Sequence, residues 1–156
     1  MEKNRDHTKI AYRIIKIHTT EFFFKDVTET NIDELLKDSS SLAININNTV
    51  NVDAANSVIA IDVSSRLLKK EDDTVLISHT GRTVFDIKNL SEVFDEEKQS
   101  YEIPIGLLTQ LHSLAYSHAR ALAATEVSPT AYKDKFFLPV VDPSKFIQKK
   151  QEGKGI

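Results

Sequence analysis

The chain has 156 residues, 40% hydrophobic and 28% charged, which is the length of one domain with enough apolar material for a core. Lys and Arg number 20 against 23 Asp and Glu, a net charge of −3, so no overall positive field gathers phosphates and nucleic acid is not an expected partner. Cysteine is absent, which excludes disulfides, thiolate metal sites and thiol nucleophiles and fits a cytoplasmic protein.

The start, Met1 to His7, is polar and no apolar signal core follows it. No run of 18 apolar residues occurs, so neither a secretory leader nor membrane insertion is expected. Residues 10–25 are rich in β-branched and aromatic residues and predict a strand. Strict alternation puts Tyr12, Ile14, Lys16, His18, Thr20, Phe22 and Phe24 on one face. Arg13, Ile15, Ile17, Thr19, Glu21 and Phe23 fall on the other, and both faces carry apolar bulk that needs cover.

Thr30 offers a cap for a turn or two of helix, with Asp33 three residues on. A second strand follows, with Leu42, Ile44, Ile46, Val50 and Val52 alternating against Asn45, Asn47 and Asn51, and a turn at residues 54–57. Residues 58–68 give a third strand, the charged loop 69–73 a hairpin, and residues 74–87 a fourth strand. Gly81 in that strand suits a bulge or a close backbone approach. Hairpin-sized links predict an antiparallel sheet.

Pro104 opens a different regime. Residues 105–125 hold one charged side chain, Arg120, and Leu108, Leu111, Ala115, Ala119 and Leu122 recur at helical spacing. The outer positions are Leu107, Leu114, Ala121 and Ala124, where an exposed helix would carry Glu and Lys. A second covering layer is therefore expected, from the C-terminal segment or a second subunit. The oligomer interface is placed at Leu107, Leu111, Leu114, His118 and Ala121. Ser128-Pro129 opens a loop, Asp142-Pro143 a short terminal helix, and the last residues are polar enough to fray.

Chemical motifs are scarce. The four glycines stand apart at 81, 106, 153 and 155, so no phosphate loop forms and no cofactor is expected. His7, His18, His79, His112 and His118 show no metal-ligand spacing. His118 reads as a neutral imidazole in a packing layer. His79 as a base, or Asp53, Asp62, Glu71 and Asp72 as a carboxylate cluster, would be needed for a small hydrolase, and no spacing ties them to a nucleophile. The aromatics Phe22, Phe23, Phe24, Tyr132, Phe136 and Phe137 cluster where cover is least assured. Residues 136–141 either pack across the sheet edge or wall a groove for extended apolar polypeptide.

The order of these features resembles the SecB preprotein-export chaperones. Lys16-Ile17-His18 with Glu21 through Phe23 is similar to that family's opening strand, and Val75 to Ile87 to its strand ending in a glycine pair, an aliphatic residue and Phe. Tyr116-Ser117-His118-Ala119-Arg120 stands where the family has Phe-Pro-Tyr-Ala-Arg, and Phe137 to Phe146 resembles its Leu-x-Pro-aliphatic segment. The resemblance spans residues 10–147, with 1–9 a flexible N-terminus and 148–156 a flexible tail. His118, Ser117, Arg82-Thr83 and the tail lysines 149, 150 and 154 depart from the pattern and bear on hand-over more than on fold.

The resemblance implies an α+β protomer: a four-stranded antiparallel sheet packed against a long helix and a shorter C-terminal helix, assembled as a dimer of dimers. It implies a cytoplasmic, non-enzymatic, ATP-independent holder of unfolded polypeptide clients, passing secretory precursors to the export motor SecA. A dedicated chaperone for one partner, such as an antitoxin, is the alternative. Carried over by the resemblance, Phe22, Phe24, Phe85, Phe136, Phe137 and Leu138 are the candidate client contacts.

Overall fold

The computed structural model describes residues 10–147; the expected flexible N-terminus and the lysine-bearing tail lie outside the described residues. Tyr12–Phe24 forms β1, Leu42–Asp53 β2, Val58–Lys69 β3 and Val75–Ile87 β4, all antiparallel in the order β1-β4-β3-β2. The β2–β3 and β3–β4 links are tight turns, with Ser57 and Asp73 taking positive φ of 54° and 57°. The first link is not a hairpin. It crosses from one edge of the sheet to the other and carries the helix α1, Glu29–Lys37.

That helix starts earlier than the Thr30 cap predicts. Thr28 is the capping residue, extended at φ −71° and ψ 152°, and its side chain accepts from the Asn31 amide at 3.3 Å. Ile32 is the residue α1 buries in the core, against Leu67, Leu76, Tyr132 and Phe136.

The long helix α2 runs from Ile105 to Val127 and lies over β4 and β3, reaching β1. It covers the face formed by Ile59, Ile61, Val63, Ser65 and Leu67 of β3 and Ile77, His79, Gly81, Thr83, Phe85 and Ile87 of β4, all buried. Burying each large apolar side chain there contributes about 1.5–3 kcal/mol. On α2, Leu111, Ala115 and Ala119 fill the expected stripe, joined by His112, Tyr116, Ala123 and Val127.

The faces of β1 differ from strict alternation. Its pairing with β4 shifts register between Ile14 and Lys16 and again between Thr19 and Glu21, and each bulge reverses which residues face inward. Residues directly opposite share a face, so Tyr12, Ile14, Ile17, Thr19, Phe22 and Phe24 lie on the α2 side. Arg13, Lys16, His18, Glu21 and Phe23 lie on the outer side.

The C-terminal segment covers one flank of α2. Tyr116 Oη donates to the Pro139 carbonyl at 2.5 Å, Arg120 Nε donates to the Leu138 carbonyl at 3.1 Å, and the Phe146 ring packs on Tyr116 and His112. Tyr132 Oη donates to the Lys25 carbonyl at 2.9 Å, fixing the other end of the segment beside β1. The Asp142 carboxylate caps the turn at 144–147 by accepting from the Ser144 amide at 3.0 Å. A small hairpin, β5 Phe94–Asp95 with β6 Ser100–Tyr101, precedes α2.

Candidate functional site

Among the apolar groups that the protomer leaves uncovered, two places carry aromatic rings expected at the site. Along β1, Phe22 stacks on Phe24 with ring centroids 5.7 Å apart, and Phe24 keeps 37% of its surface exposed. In the extended segment after α2, Phe137 is 60% exposed and Val140 82% exposed. The Tyr132–Lys25 hydrogen bond ties that segment to the end of β1. One hydrogen bond from a tyrosine side chain to a backbone carbonyl thus links the two aromatic-bearing stretches.

Three of the expected client contacts are core residues. Phe85 is fully buried and meets Tyr12 edge-on at 5.9 Å, while Phe136 and Leu138 keep only 4% and 2% exposure. The reason is local geometry: an extended chain sends alternate side chains to opposite sides, so Phe136 and Leu138 point in while Phe137 points out. Surface apolar residues outside that expectation include Phe23, Ile15, Val140 and Ile105. Phe23 lies on the face that strict alternation gives it, with Arg13 and Glu21, opposite Phe22 and Phe24.

Of the positions expected at a subunit interface, Leu111 is fully buried inside the protomer and is not free to touch a partner. Leu107, Leu114 and His118 are half-buried and Ala121 is exposed. The residues 106, 110, 117 and 121 carry the exposed stripe, and none is charged.

The buried His79 and His112 and the half-buried His118 each lie within hydrogen-bond distance of a neutral side chain. His79 Nε2 lies 3.0 Å from Thr19 Oγ1, His118 Nδ1 lies 3.0 Å from Thr83 Oγ1, and His112 Nδ1 lies 3.3 Å from the Asn48 side-chain amide. Burial pushes the His79 imidazole below its ordinary value, with the charge of Glu126 opposing, and burial does the same to His118. Burial and the nearby Asp26 raise the Tyr132 phenol to about 12. Asp62 is engaged in two hydrogen bonds from Arg82, at 2.6 and 2.8 Å, and Asp53 in two from Asn56, at 2.8 Å from its side-chain amide and 3.3 Å from its backbone amide. Among the described residues, no group of three His, Asp or Glu side chains is arranged to hold a metal ion.

No protein-family model and no curated protein matches the sequence. Among solved structures, the chain is similar to the SecB-like chaperone Rv1957 of Mycobacterium tuberculosis, in complex with a ChAD peptide from the Rv1956 HigA1 antitoxin. The TM-score is 0.50 at 13% identity, over 83% of this chain and 90% of that one. The chain has the SecB-like fold. A protein of unknown function from Streptococcus agalactiae superposes at a TM-score of 0.36 and 12% identity, over 85% of this chain and 98% of that one. No helix among the described residues is long and apolar enough to cross a membrane.

Proposed function

We propose that this protein is an ATP-independent holding chaperone that binds extended, apolar stretches of unfolded polypeptide in the cytoplasm. The observation that carries the reading is the pair of exposed aromatics, Phe24 on β1, stacked on the half-buried Phe22, and Phe137 after α2, on a SecB-like fold. Apolar contact is non-directional and scales with area, about 25 cal/mol per Å² removed from water, so such strips hold many sequences without reading any one. A hydrolase built on His79 has no support in the geometry, since His79 is sealed from solvent and its hydrogen-bond partner is a threonine.

The uncharged stripe of α2 is the surface on which a second copy would pack, giving the dimer of dimers. Leu107, Leu114 and Ala121 are its contact residues in this reading. Client hand-over to SecA is the finer form of the proposal.

A second reading, a chaperone dedicated to one antitoxin-like partner, is favoured by the peptide that the Mycobacterium tuberculosis protein holds in its complex. The test is light scattering of a chemically unfolded client diluted into buffer without ATP. Delayed aggregation at substoichiometric protein supports holding, and unchanged aggregation removes it. Capture from host lysate then separates the readings: a spread of precursors favours the first, one dominant polypeptide the second.

A further inference from the structure

The link between β1 and β2 is longer than its span requires. Residues 26–41 join two strand ends that lie at the same end of the sheet, where Phe24 pairs with Ile77, Ile77 with Leu67 and Leu67 with Ile44. Three strand spacings of about 4.8 Å separate those ends, whereas an extended chain covers about 3.3 Å per residue. The slack is taken up by α1.

α1 is lightly fastened. Of residues 31–37, Ile32 alone is buried and Leu35 half-buried, against seven buried side chains on α2. Among the described residues one polar contact leaves the helix, the ion pair of the exposed Asp33 with Lys135 at 2.9 Å. At nine residues α1 is too short to keep its form without a surface to lie on.

That surface is an apolar hollow. Ile32 lies against Leu67, Leu76, Tyr132 and Phe136, and about 10 Å³ stays free beside it, no more than one water needs. The Tyr132 hydroxyl at its wall is spent on the Lys25 carbonyl, so an aliphatic side chain is what the hollow fits. It lies between the two exposed aromatics. On one side the Leu76 carbonyl accepts from the amide of Lys25, next to Phe24, at 2.8 Å; on the other Phe136 precedes Phe137.

We infer that α1 is a displaceable cover and Ile32 an internal stand-in for one aliphatic side chain of a client, so that a client segment reaching from Phe24 to Phe137 takes the hollow by driving α1 off it. This rests on the holding reading above and adds a regulation to it: the resting protomer keeps its own hollow occupied, and a segment gains the full contact only by offering an aliphatic group in exchange. The exchange leaves the core filled, and the slack in residues 26–41 lets α1 leave without moving either strand.

The chain lacks cysteine, so an introduced pair can be bridged without side reactions. Asp33→Cys with Lys135→Cys, joined by a short bismaleimide, fastens α1 in place. The probe is a fluorescent, uncharged peptide of four Ser-Leu repeats. The bridged protein is expected to bind it at least tenfold more weakly than the same variant unbridged. Asp33→Lys, which sets two cations together, is expected to bind it at least threefold more tightly than the parent, and Asp33→Lys with Lys135→Asp to return to the parent value. Amides of residues 31–37 are expected to exchange hydrogen at least tenfold faster in the complex, with α2 amides unchanged. Equal binding by the bridged and unbridged forms overturns the inference, as does slower exchange of α1 in the complex. Both results leave the holding reading standing where the parent still delays client aggregation. Failure of the parent to delay aggregation is a separate result and removes the holding reading itself.

Discussion

Gly81 of β4 passes directly beneath Ala119 of α2. A Cβ placed on Gly81 would stand 3.2 Å from Ala119 Cα and 3.1 Å from Leu122 Cδ1. The first of these neighbours is helix backbone and has little room to give. The helix therefore sits on the strand through the missing side chain, and its neighbours on either side, His79 and Thr83, are both buried under it.

Gly81→Val is accordingly expected to lift α2 from the sheet and to destabilise the protomer by about 1–3 kcal/mol, the usual cost of overpacking. Urea unfolding followed by circular dichroism measures it. An unchanged midpoint would mean that the helix rides higher over the strand than the structure has it.

Phe136 and Phe137 are neighbours in sequence with opposite predicted phenotypes. Phe136→Ala removes a buried ring from the core and is expected to cost about 3–5 kcal/mol of stability. Phe137→Ser, at a position 60% exposed, is expected to stay within about 0.5 kcal/mol of the parent while weakening client holding, most strongly with Phe24→Ser. Thermal melts and the aggregation assay separate the two effects. Full holding by the Phe24→Ser, Phe137→Ser double variant would take these residues out of the site.

These contrasts mark what could be read from the chain alone. The alternation of Ile44, Ile46, Val50 and Val52 with asparagines gave β2 and its faces, because that strand is regular and half covered. The charge poverty of residues 105–125 located α2, and Gly81 announced a close approach. The faces of β1 were legible at its two ends, where alternation puts Tyr12, Ile14, Phe22 and Phe24 together, but not between the bulges after Ile14 and Thr19, where Ile17 and Thr19 turn inward in place of Lys16 and His18. Nor was the crossover that sets β1 beside β4, since strand order depends on which edge the connection reaches. The run 136–138 was legible as apolar, but its split between core and surface follows from extended geometry fixed by the Tyr116 and Arg120 hydrogen bonds to Pro139 and Leu138.

Acid is expected to weaken the fold through the imidazoles between α2 and the sheet, His79 of β4 and His118 of α2. Burial holds His79 and His118 below their ordinary value of 6.5, so in the folded state they stay neutral at pH values where the unfolded chain protonates. The unfolded state then binds more protons, and stability falls as pH drops below about 6.5 until the folded values are passed. The fully buried His79 contributes a slope of up to about 1.4 kcal/mol per pH unit, and the half-buried His118, screened by solvent, contributes less. The carboxylates held low by hydrogen bonds, Asp53, Asp72, Asp95 and Asp142, act in a separate window below their ordinary value of 3.8. Unfolding free energies of His79→Gln and His118→Gln, measured from pH 7 to pH 5, are expected to fall less steeply than those of the parent. Parallel curves would assign the acid sensitivity elsewhere.

The exposed stripe on α2 makes a prediction that separates assembly from folding. Ala121 is open to solvent and sits one turn past Ser117, on a helix whose lone cation, Arg120, is turned toward the Leu138 carbonyl. A glutamate at this position is expected to leave the protomer within about 0.5 kcal/mol of its parent stability, as surface changes usually do, yet to bury an unpaired charge wherever a second copy covers the stripe. Leu111→Ala is the opposite case. It hollows the protomer core and is expected to cost about 2–5 kcal/mol. Light scattering coupled to size exclusion over a range of concentrations should therefore show a smaller particle for Ala121→Glu, with an unchanged melting temperature. The parent mass retained by Ala121→Glu would mean that subunits meet through another surface.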